Sequence, residues 1–336
     1  RFSECLSFNV LSSLLFISSL TMIVSSMAAS FEYDLKKVIA LSTLSQLGLM
    51  LSILSMGESA LAFFHLLMHA LFKALLFMCA GSMIHSCSDL QDIRVMGSLV
   101  NLMPLTTCFF NICSLSLCGM PFLTGFYSKD LILEVASMNF FGLYAYLAFF
   151  LSTGFTAAYS IRLFFYLMIS GYNGSSFGSV VELNLSILKG MSGLILLVVF
   201  GGSIISWVIF PSPYFICLPF VMKISTLMVI ITGWVVGIFI SKLNYFGKFM
   251  MGSNLSMFLG SMWNLSNLST FGVNYGFLKL GEQFYSGIDQ GWSEYLGSQN
   301  VFICVMNSSK FLQGVFASNL KIFLILILIW ICFLFI

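Results

Sequence analysis

Long apolar stretches without a charged residue alternate with short polar segments along most of the chain. The charge-free stretches are residues 5–31, 38–57, 95–128, 135–161, 190–222 and 224–241. Each is near or above the roughly 18 residues that indicate a helix able to cross a bilayer. The pattern therefore predicts several membrane-spanning helices.

Two further segments contain spans with special features. Residues 59–84 are mainly apolar but contain two histidines and a lysine, and residues 318–336 form a tail of mostly Leu, Ile and Phe. The predicted fold class is an all-α polytopic membrane protein with about eight transmembrane helices, one broken, plus an amphipathic lateral helix. The predicted spans are 6–28, 34–56, 59–84, 103–138 (broken), 142–167, 190–210, 221–241 and 317–336.

Composition excludes several classes of protein. The chain has 336 residues, of which 8% are charged, against about 25% in soluble domains. Hydrophobic residues make up 59% and the formal net charge is only +2. Soluble enzymes and nucleic-acid binders are therefore excluded, and the predicted surroundings are a lipid bilayer.

The basic residues predict an orientation. If the eight spans alternate, most basic residues lie on one side, and the positive-inside rule assigns that side to the cytoplasm or matrix. Only Arg1 and Lys223 lie on the other side. The residues on the basic side are Lys36, Lys37, Arg94, Arg162, Lys189, Lys242, Lys248, Lys279, Lys310 and Lys321.

Residues 242–316 do not continue the pattern of spans. The stretch 249–276 is rich in Gly, Ser and Asn, and charged residues follow it. Apolar residues then recur at steps of three or four, which predicts an amphipathic helix that lies along the membrane or on neighbouring subunits. The alternative is a long loop with a short helix, because glycines weaken helices. The apolar residues are Phe277, Leu280, Phe284, Ile288, Trp292 and Leu296.

The third predicted span contains the most informative polar residues. His65, His69 and Lys73 stand four residues apart, so they share one helical stripe about 12 Å long. A lysine near the bilayer centre costs about 3 kcal/mol on insertion scales, which makes it a functional residue by default. Imidazoles on the same stripe can pass protons to it if water fills the gaps. The alternative is a buried lysine paired with a carboxylate for helix packing.

The second candidate site lies in the long stretch 103–138. Pro121 removes an intrahelical hydrogen bond, and Gly119 and Gly125 loosen the same turn, so the helix is predicted to break there. In transporters such breaks mark the ion pathway. Lys129 and Asp130 follow the break, and the alternative for them is a pair of snorkelling anchors at the membrane boundary.

No cofactor site is predicted. The nine cysteines include no Cys-x-x-Cys pair, and most lie in apolar runs, where thiols behave as small hydrophobes. The sequence also lacks a glycine-rich phosphate loop and a His/Cys/carboxylate set with metal-ligand spacing.

Four segments taken together resemble a known family. They are residues 33–48, the His65/His69/Lys73 helix, residues 85–94 and residues 119–130. The order and close spacing of these motifs resemble the chain 5 subunits of mitochondrial NADH-ubiquinone oxidoreductase, respiratory complex I. The resemblance runs over the whole sequence. That family is similar to the antiporter-like subunits of Mrp sodium/proton exchangers.

The resemblance implies a division of the chain into four parts. Residues 1–167 would be the second five-helix antiporter-like repeat and residues 168–241 two further transmembrane helices. Residues 242–316 would be a loop and the lateral helix, and residues 317–336 the final anchor. The resemblance also implies that a first repeat, with a glutamate and another broken-helix lysine, precedes Arg1, so that this sequence is partial.

The resemblance further implies a function. Lys73 matches the family's central relay lysine and Lys129 its broken-helix lysine near the exit, and with His65, His69 and Asp130 they would form a proton relay. The chain would be a non-redox, proton-translocating subunit of NADH:ubiquinone oxidoreductase in the mitochondrial inner membrane, partnered by other membrane-arm subunits. NADH, FMN, iron-sulfur clusters and ubiquinone are expected in other subunits. The alternatives are an Mrp-type cation/proton antiporter subunit and a mainly structural arm.

Overall fold

The computed structural model describes residues 3–138, 143–174, 180, 182, 185–245 and 253–335. Within these ranges the regular elements are helices, and Asp34 and Asp92 form an isolated β-bridge. The predicted all-α polytopic fold is confirmed. The chain forms two compact units, Arg1–Asn264 and Leu265–Ile336. The predicted basic residues Arg1 and Lys248 lie outside the described residues.

The first unit is a bundle of long apolar helices with shorter pieces between them. Its helices are α1 (Phe8–Phe31), α2 (Leu35–Ser55), α3 (Ser59–Ser86), α4 (Leu99–Leu102), α5 (Pro104–Cys118), α6 (Leu131–Met138), α7 (Leu143–Phe164), α8 (Leu185–Ile209), α9 (Phe220–Tyr245) and α10 (Ser253–Gly260).

Six helices of the described residues are long and apolar enough to cross a membrane, and they correspond to six of the eight predicted spans. They are Phe8–Phe31, Leu35–Ser55, Ser59–Ser86, Tyr144–Ile169, Leu185–Ile209 and Phe220–Lys242. The predicted span 103–138 is broken, and the predicted span 317–336 is a helix of 15 residues, Leu320–Leu334. The count becomes seven if this last helix and the bent helix before it form one span.

Contacts between loops confirm that the spans of the first unit alternate. The loop after α1 meets the loop after α3, where the Leu35 amide donates to the Gln91 carbonyl at 2.9 Å. The loop after α2 meets the loop after α8, where the Tyr214 hydroxyl donates to Glu58 at 3.2 Å. Loops predicted to share a side of the membrane therefore touch each other.

The broken span has a defined geometry. It begins at Pro104, a residue suited to the first helical turn because the amide it lacks would be unpaired there. The Glu182 carboxylate accepts from the Thr106 amide at 2.8 Å and caps this end. The helix ends at Cys118, and Gly119 has a left-handed φ of 88°, which suits glycine. Helical structure then resumes as a π-helical turn, Phe126–Asp130.

The second unit is helical where the sequence predicts an amphipathic helix. Helical structure runs from Leu265 to Ser318 through α11 (Leu265–Asn267), α12 (Val273–Phe284) and α13 (Asn300–Ser318), with π-helical segments between them. It meets α14 (Leu320–Leu334) at a bend of 116°.

The loop alternative for this region is wrong. The five prolines of the chain all precede residue 220, so none interrupts this helix. Gly287, Gly291 and Gly297 lie in π-helical turns, where the helix is locally wider. The predicted apolar stripe is exposed along the whole segment, from Phe277 at 74% to Leu296 at 57%.

Candidate functional site

The predicted stripe on α3 faces the protein interior. His65, His69 and Lys73 are all buried, with 1%, 9% and 4% of their surface exposed. The two imidazole rings lie 6.3 Å apart between centroids, close to the spacing of one helical turn. The stripe is buried because α3 packs against α2, α5 and α8.

Lys73 is held by neutral groups of α2. Its ammonium donates to the Ser42 hydroxyl and to the Ile39 carbonyl, the latter at 3.3 Å. The Ser42 hydroxyl donates in turn to the same carbonyl at 2.7 Å. These contacts contradict the alternative of a carboxylate partner. Neutral partners leave the lysine free to exist in either protonation state, because no opposite charge holds the ammonium form.

His65 connects α3 to two other helical segments. Its Nε2 lies 3.2 Å from Gln46 Oε1 on α2, and its Nδ1 lies 3.0 Å from Ser128 Oγ in the π-helical turn. Because the Gln46 oxygen only accepts, a neutral imidazole carries its proton on Nε2 and accepts at Nδ1 from Ser128. Both ring nitrogens are thus in hydrogen bonds, which fixes the orientation of the ring.

Lys129 points inward and is 2% exposed. Its ammonium donates to the Thr156 hydroxyl at 2.7 Å and to the Leu117 carbonyl at 3.4 Å. The carbonyl belongs to the last turn of α5, where unpaired carbonyls and the helix dipole favour a cation. The alternative of a snorkelling anchor is therefore wrong for Lys129.

Asp130 is directed toward α9. The Thr226 side chain lies within hydrogen-bonding reach of its carboxylate, and Lys223, one turn earlier on α9, acts on it electrostatically. Its Oδ1 atom is buried without a hydrogen-bond partner in the structure. Asp130 therefore lies beside Lys129 in the chain but faces a different helix.

The structure places the five predicted residues along one row, but direct hydrogen bonds do not connect the whole row. The order is Lys73, His69, His65, Lys129 and Asp130, and the Ser128 hydroxyl joins His65 to the segment that carries Lys129. One gap lies at His69, whose buried Nε2 atom has no hydrogen-bond partner. Another separates Lys129, which bonds to Thr156, from Asp130, which faces α9.

The partners of this row were not predicted from the sequence. They are Ser42, Gln46, Ser128 and Thr156. Gln46 offered a signal, because an amide inside an apolar span usually bonds to another helix. The hydroxyl residues offered none, since serine and threonine occur throughout these spans and commonly bond to their own helix.

Two arginines and two tyrosines form a cluster on the basic side of the first unit. They are Arg94, Arg162, Tyr33 and Tyr166. Buried Arg162 donates to the Ser30 and Glu32 carbonyls at 2.6 and 2.9 Å, which caps the end of α1. The Arg94 and Arg162 guanidinium groups lie 4.3 and 4.7 Å from the centre of the Tyr33 ring, within the range of cation–π attraction.

The loop that carries Arg94 also contains an ion pair. Arg94 donates to both carboxylate oxygens of Asp92. Burial pushes the pKa of Asp92 upward, but the hydrogen bonds and the charge of Arg94 outweigh burial and leave this pKa below its ordinary value.

Comparisons with known proteins agree with this architecture. Residues 159–336 match the family described as NADH dehydrogenase subunit 5 C-terminus. Residues 2–156 match the transmembrane family of NADH:quinone oxidoreductases and Mrp antiporters. The fold and the broken helix thus define a membrane protein of the antiporter-like class.

Curated relatives give the particular family. The chain is 51% identical over 325 residues to NADH-ubiquinone oxidoreductase chain 5 of Locusta migratoria, covering 96% of this chain and 57% of that protein. It is 36% identical over 318 residues to chain 5 of Bos indicus, covering 93% and 52%. The chain belongs to the NADH-ubiquinone oxidoreductase chain 5 family and spans little more than half the length of these relatives.

Solved structures share the fold. The structure of the Mrp complex from Dietzia sp. DQ12-45-1b matches with a TM-score of 0.64 at 21% identity, over 93% of this chain and 35% of that chain. The membrane-bound sulfane sulfur reductase, an archaeal respiratory complex, matches with a TM-score of 0.53 at 30% identity, over 58% and 32%.

Proposed function

We propose that the chain is the relay-bearing part of a proton-translocating subunit of NADH:ubiquinone oxidoreductase. The observation that carries this proposal is the buried row from Lys73 to Asp130, which crosses from α3 to the broken helix. Three of its ionisable groups, Lys73, His65 and Lys129, are partnered by hydroxyls, an amide and carbonyls, and such intramembrane groups are typical of proton relays.

The row supports a mechanism of alternating protonation. Lys73 passes a proton to His69 and then to His65, with water bridging the gap at His69. The proton then passes through the Ser128 hydroxyl to Lys129. Asp130 receives it on the side of α9. Two ammonium groups in one low-dielectric row repel each other, so loss of the proton at one lysine favours protonation of the other.

The complete subunit would act as a non-redox part of the assembly. NADH oxidation and ubiquinone reduction would take place in other subunits, which would hold the FMN, the iron-sulfur clusters and the ubiquinone site. The location would be the mitochondrial inner membrane, with the basic side facing the matrix.

The partners would be other membrane-arm subunits. The exposed apolar stripe of the lateral helix supports this proposal, because a stripe of large side chains along a helix favours a bilayer surface or another protein.

Replacement of Lys73 tests the function. Lys73→Gln in the full-length subunit keeps a polar, hydrogen-bonding side chain, shorter than lysine, but removes the exchangeable charge. We expect proton pumping driven by NADH to fall while the complex still assembles. Lys36→Gln is the matched control, because Lys36 is exposed on α2. Full pumping by the Lys73 variant would overturn the proposal.

The same membranes distinguish the Mrp-type alternative. Proton flow driven by a sodium gradient, without NADH or quinone, is the expected behaviour of a cation/proton antiporter. For the proposed function we expect no such flow and full dependence on NADH oxidation.

A further inference from the structure

We propose that Tyr159 is a proton-path residue on a second branch between Lys73 and Lys129, carried by α7 and independent of the two histidines. This inference rests on the proposed function, because it names another route between the same lysines.

The position of Tyr159 carries the argument. Its side chain is 2% exposed, and its hydroxyl lies among the side chains of Ser42, Ser45 and Gln46 on α2. The hydroxyl nevertheless makes no direct hydrogen bond of ordinary geometry. The Ser42 hydroxyl accepts a hydrogen bond from the Lys73 ammonium. The Tyr159 hydroxyl therefore lies near a hydrogen-bond partner of that lysine.

The other end of the branch is also on α7. Thr156 precedes Tyr159 by three residues, so the two side chains share one face of the helix. The Thr156 hydroxyl accepts a hydrogen bond of 2.7 Å from the Lys129 ammonium. One face of α7 therefore lies beside the partners of both lysines, whereas the α3 branch runs through His69, His65 and Ser128.

The buried hydroxyl needs an explanation. A phenylalanine would fill nearly the same volume without the cost of burying an unpaired polar group. Two serine hydroxyls and an amide around Oη are enough polar groups to hold a bridging water. The simplest arrangement is thus one in which Tyr159, water and Ser42 form a hydrogen-bonded chain.

Proton passage through such a chain leaves each member unchanged. A new O–H bond forms at Oη with the proton that arrives from the Ser42 side, and the original O–H bond breaks as its proton leaves toward Thr156. A hydroxyl can donate and accept at once, so Tyr159 stays neutral before and after the step. No oxidant, reductant or metal is needed.

Tyr159→Phe in the assembled complex removes only the hydroxyl. Loss of a single obligatory proton-transfer group typically lowers a rate about 10²-fold or more, so we expect a smaller loss, about two- to tenfold, for one of two branches. The matched control is Tyr146→Phe, the same change on the same helix away from both lysines. The inference is overturned if Tyr159→Phe and Tyr146→Phe both pump at the rate of the unaltered complex.

A double variant distinguishes two parallel branches from a single proton path. If the branches run in parallel, combining Tyr159→Phe with His65→Gln lowers pumping by more than the product of the two single losses. If both residues lie on one path, the double variant is no worse than the worse single variant, which contradicts a second branch.

Two further measurements complete the test. A proton-path role for Tyr159 also changes the ratio of pumping rates in H2O and D2O, whereas a packing role changes the rate alone and leaves the ratio as it was. If Tyr159→Phe fails to assemble, Ser45→Ala removes a neighbouring hydroxyl instead and is expected to lower pumping in the same direction.

Lys73→Gln in the same assay keeps the two proposals distinct. Full pumping by that variant defeats the proposed function, whereas reduced pumping there and full pumping in Tyr159→Phe defeats this inference alone.

Discussion

Gly125 allows the two halves of the broken helix to approach each other. A Cβ atom added at Gly125 would lie 1.7 Å from the Ser116 carbonyl oxygen of α5, and real Cβ atoms essentially never come closer than 3.0 Å to such an atom. The φ of Gly125 is −64°, so alanine suits the backbone and the effect of Gly125→Ala is steric.

The magnitude of this effect follows from the two distances. The backbones must separate by at least 1.3 Å, the difference between 3.0 and 1.7 Å. That displacement is enough to take Ser128 Oγ, now 3.0 Å from His65 Nδ1, beyond the hydrogen-bonding limit of about 3.5 Å. Overpacking of this kind costs about 1–3 kcal/mol, and a misplacement of about 1 Å at a reacting centre lowers the rate through the α3 branch about 10²-fold. Because the α7 branch still connects the two lysines, we expect total pumping to fall about two- to tenfold.

The assay compares Gly125→Ala with Gly81→Ala. Gly81 lies on α3, and a Cβ atom added there meets nothing within 4 Å, so this control variant is expected to assemble and pump normally. NADH-driven pumping per assembled complex is measured for both. A Gly125 variant that assembles and pumps like the control would contradict this steric effect.

Three other predictions concern stability. Arg162→Met removes the Nη1 atom that donates to both the Ser30 and the Glu32 carbonyls, and we expect a loss of about 1.5–3 kcal/mol, seen as a lower melting temperature of the complex; an unchanged melting temperature contradicts this. Glu182→Ala removes the cap of α5 and should cost about 1 kcal/mol, measurable as faster amide exchange at Thr106. Because the pKa of Asp92 is lowered in the folded protein, its ion pair stabilises fully above the ordinary aspartate pKa of about 3.9 and is lost as the pH falls through the folded value. This partly exposed pair is worth less than about 1 kcal/mol, so protease cleavage of the 87–98 loop should rise modestly in acid, and Asp92→Asn should abolish that dependence.

Local pattern was sufficient to predict most of the fold. Spans without charge must bury their backbone polar groups as helices, and Pro121 with Gly119 disrupts any helix whatever surrounds it. The stripe of His65, His69 and Lys73 follows from helical geometry alone. These features depend on near neighbours in the chain, which is why the sequence reveals them.

The partners of the lysines depend on packing between helices. Thr156 and Ser42 are distant in sequence from the lysines they bind, and nothing local distinguishes them from the other hydroxyl residues of their helices. Tyr159 likewise acquires its setting only when α7 meets α2. The glycines of residues 265–318 do not end the helical structure there, because glycine lowers helix stability without breaking a helix as proline does.

The number of protons moved per NADH oxidised shows directly whether Lys129 lies on the proton path. It is measured in vesicles that carry the assembled complex with Lys129→Gln, beside the unaltered complex. We expect this ratio to fall while electron transfer from NADH to ubiquinone persists, because Lys129 belongs to the proposed proton path and not to the redox chemistry. A ratio equal to that of the unaltered complex would contradict the account.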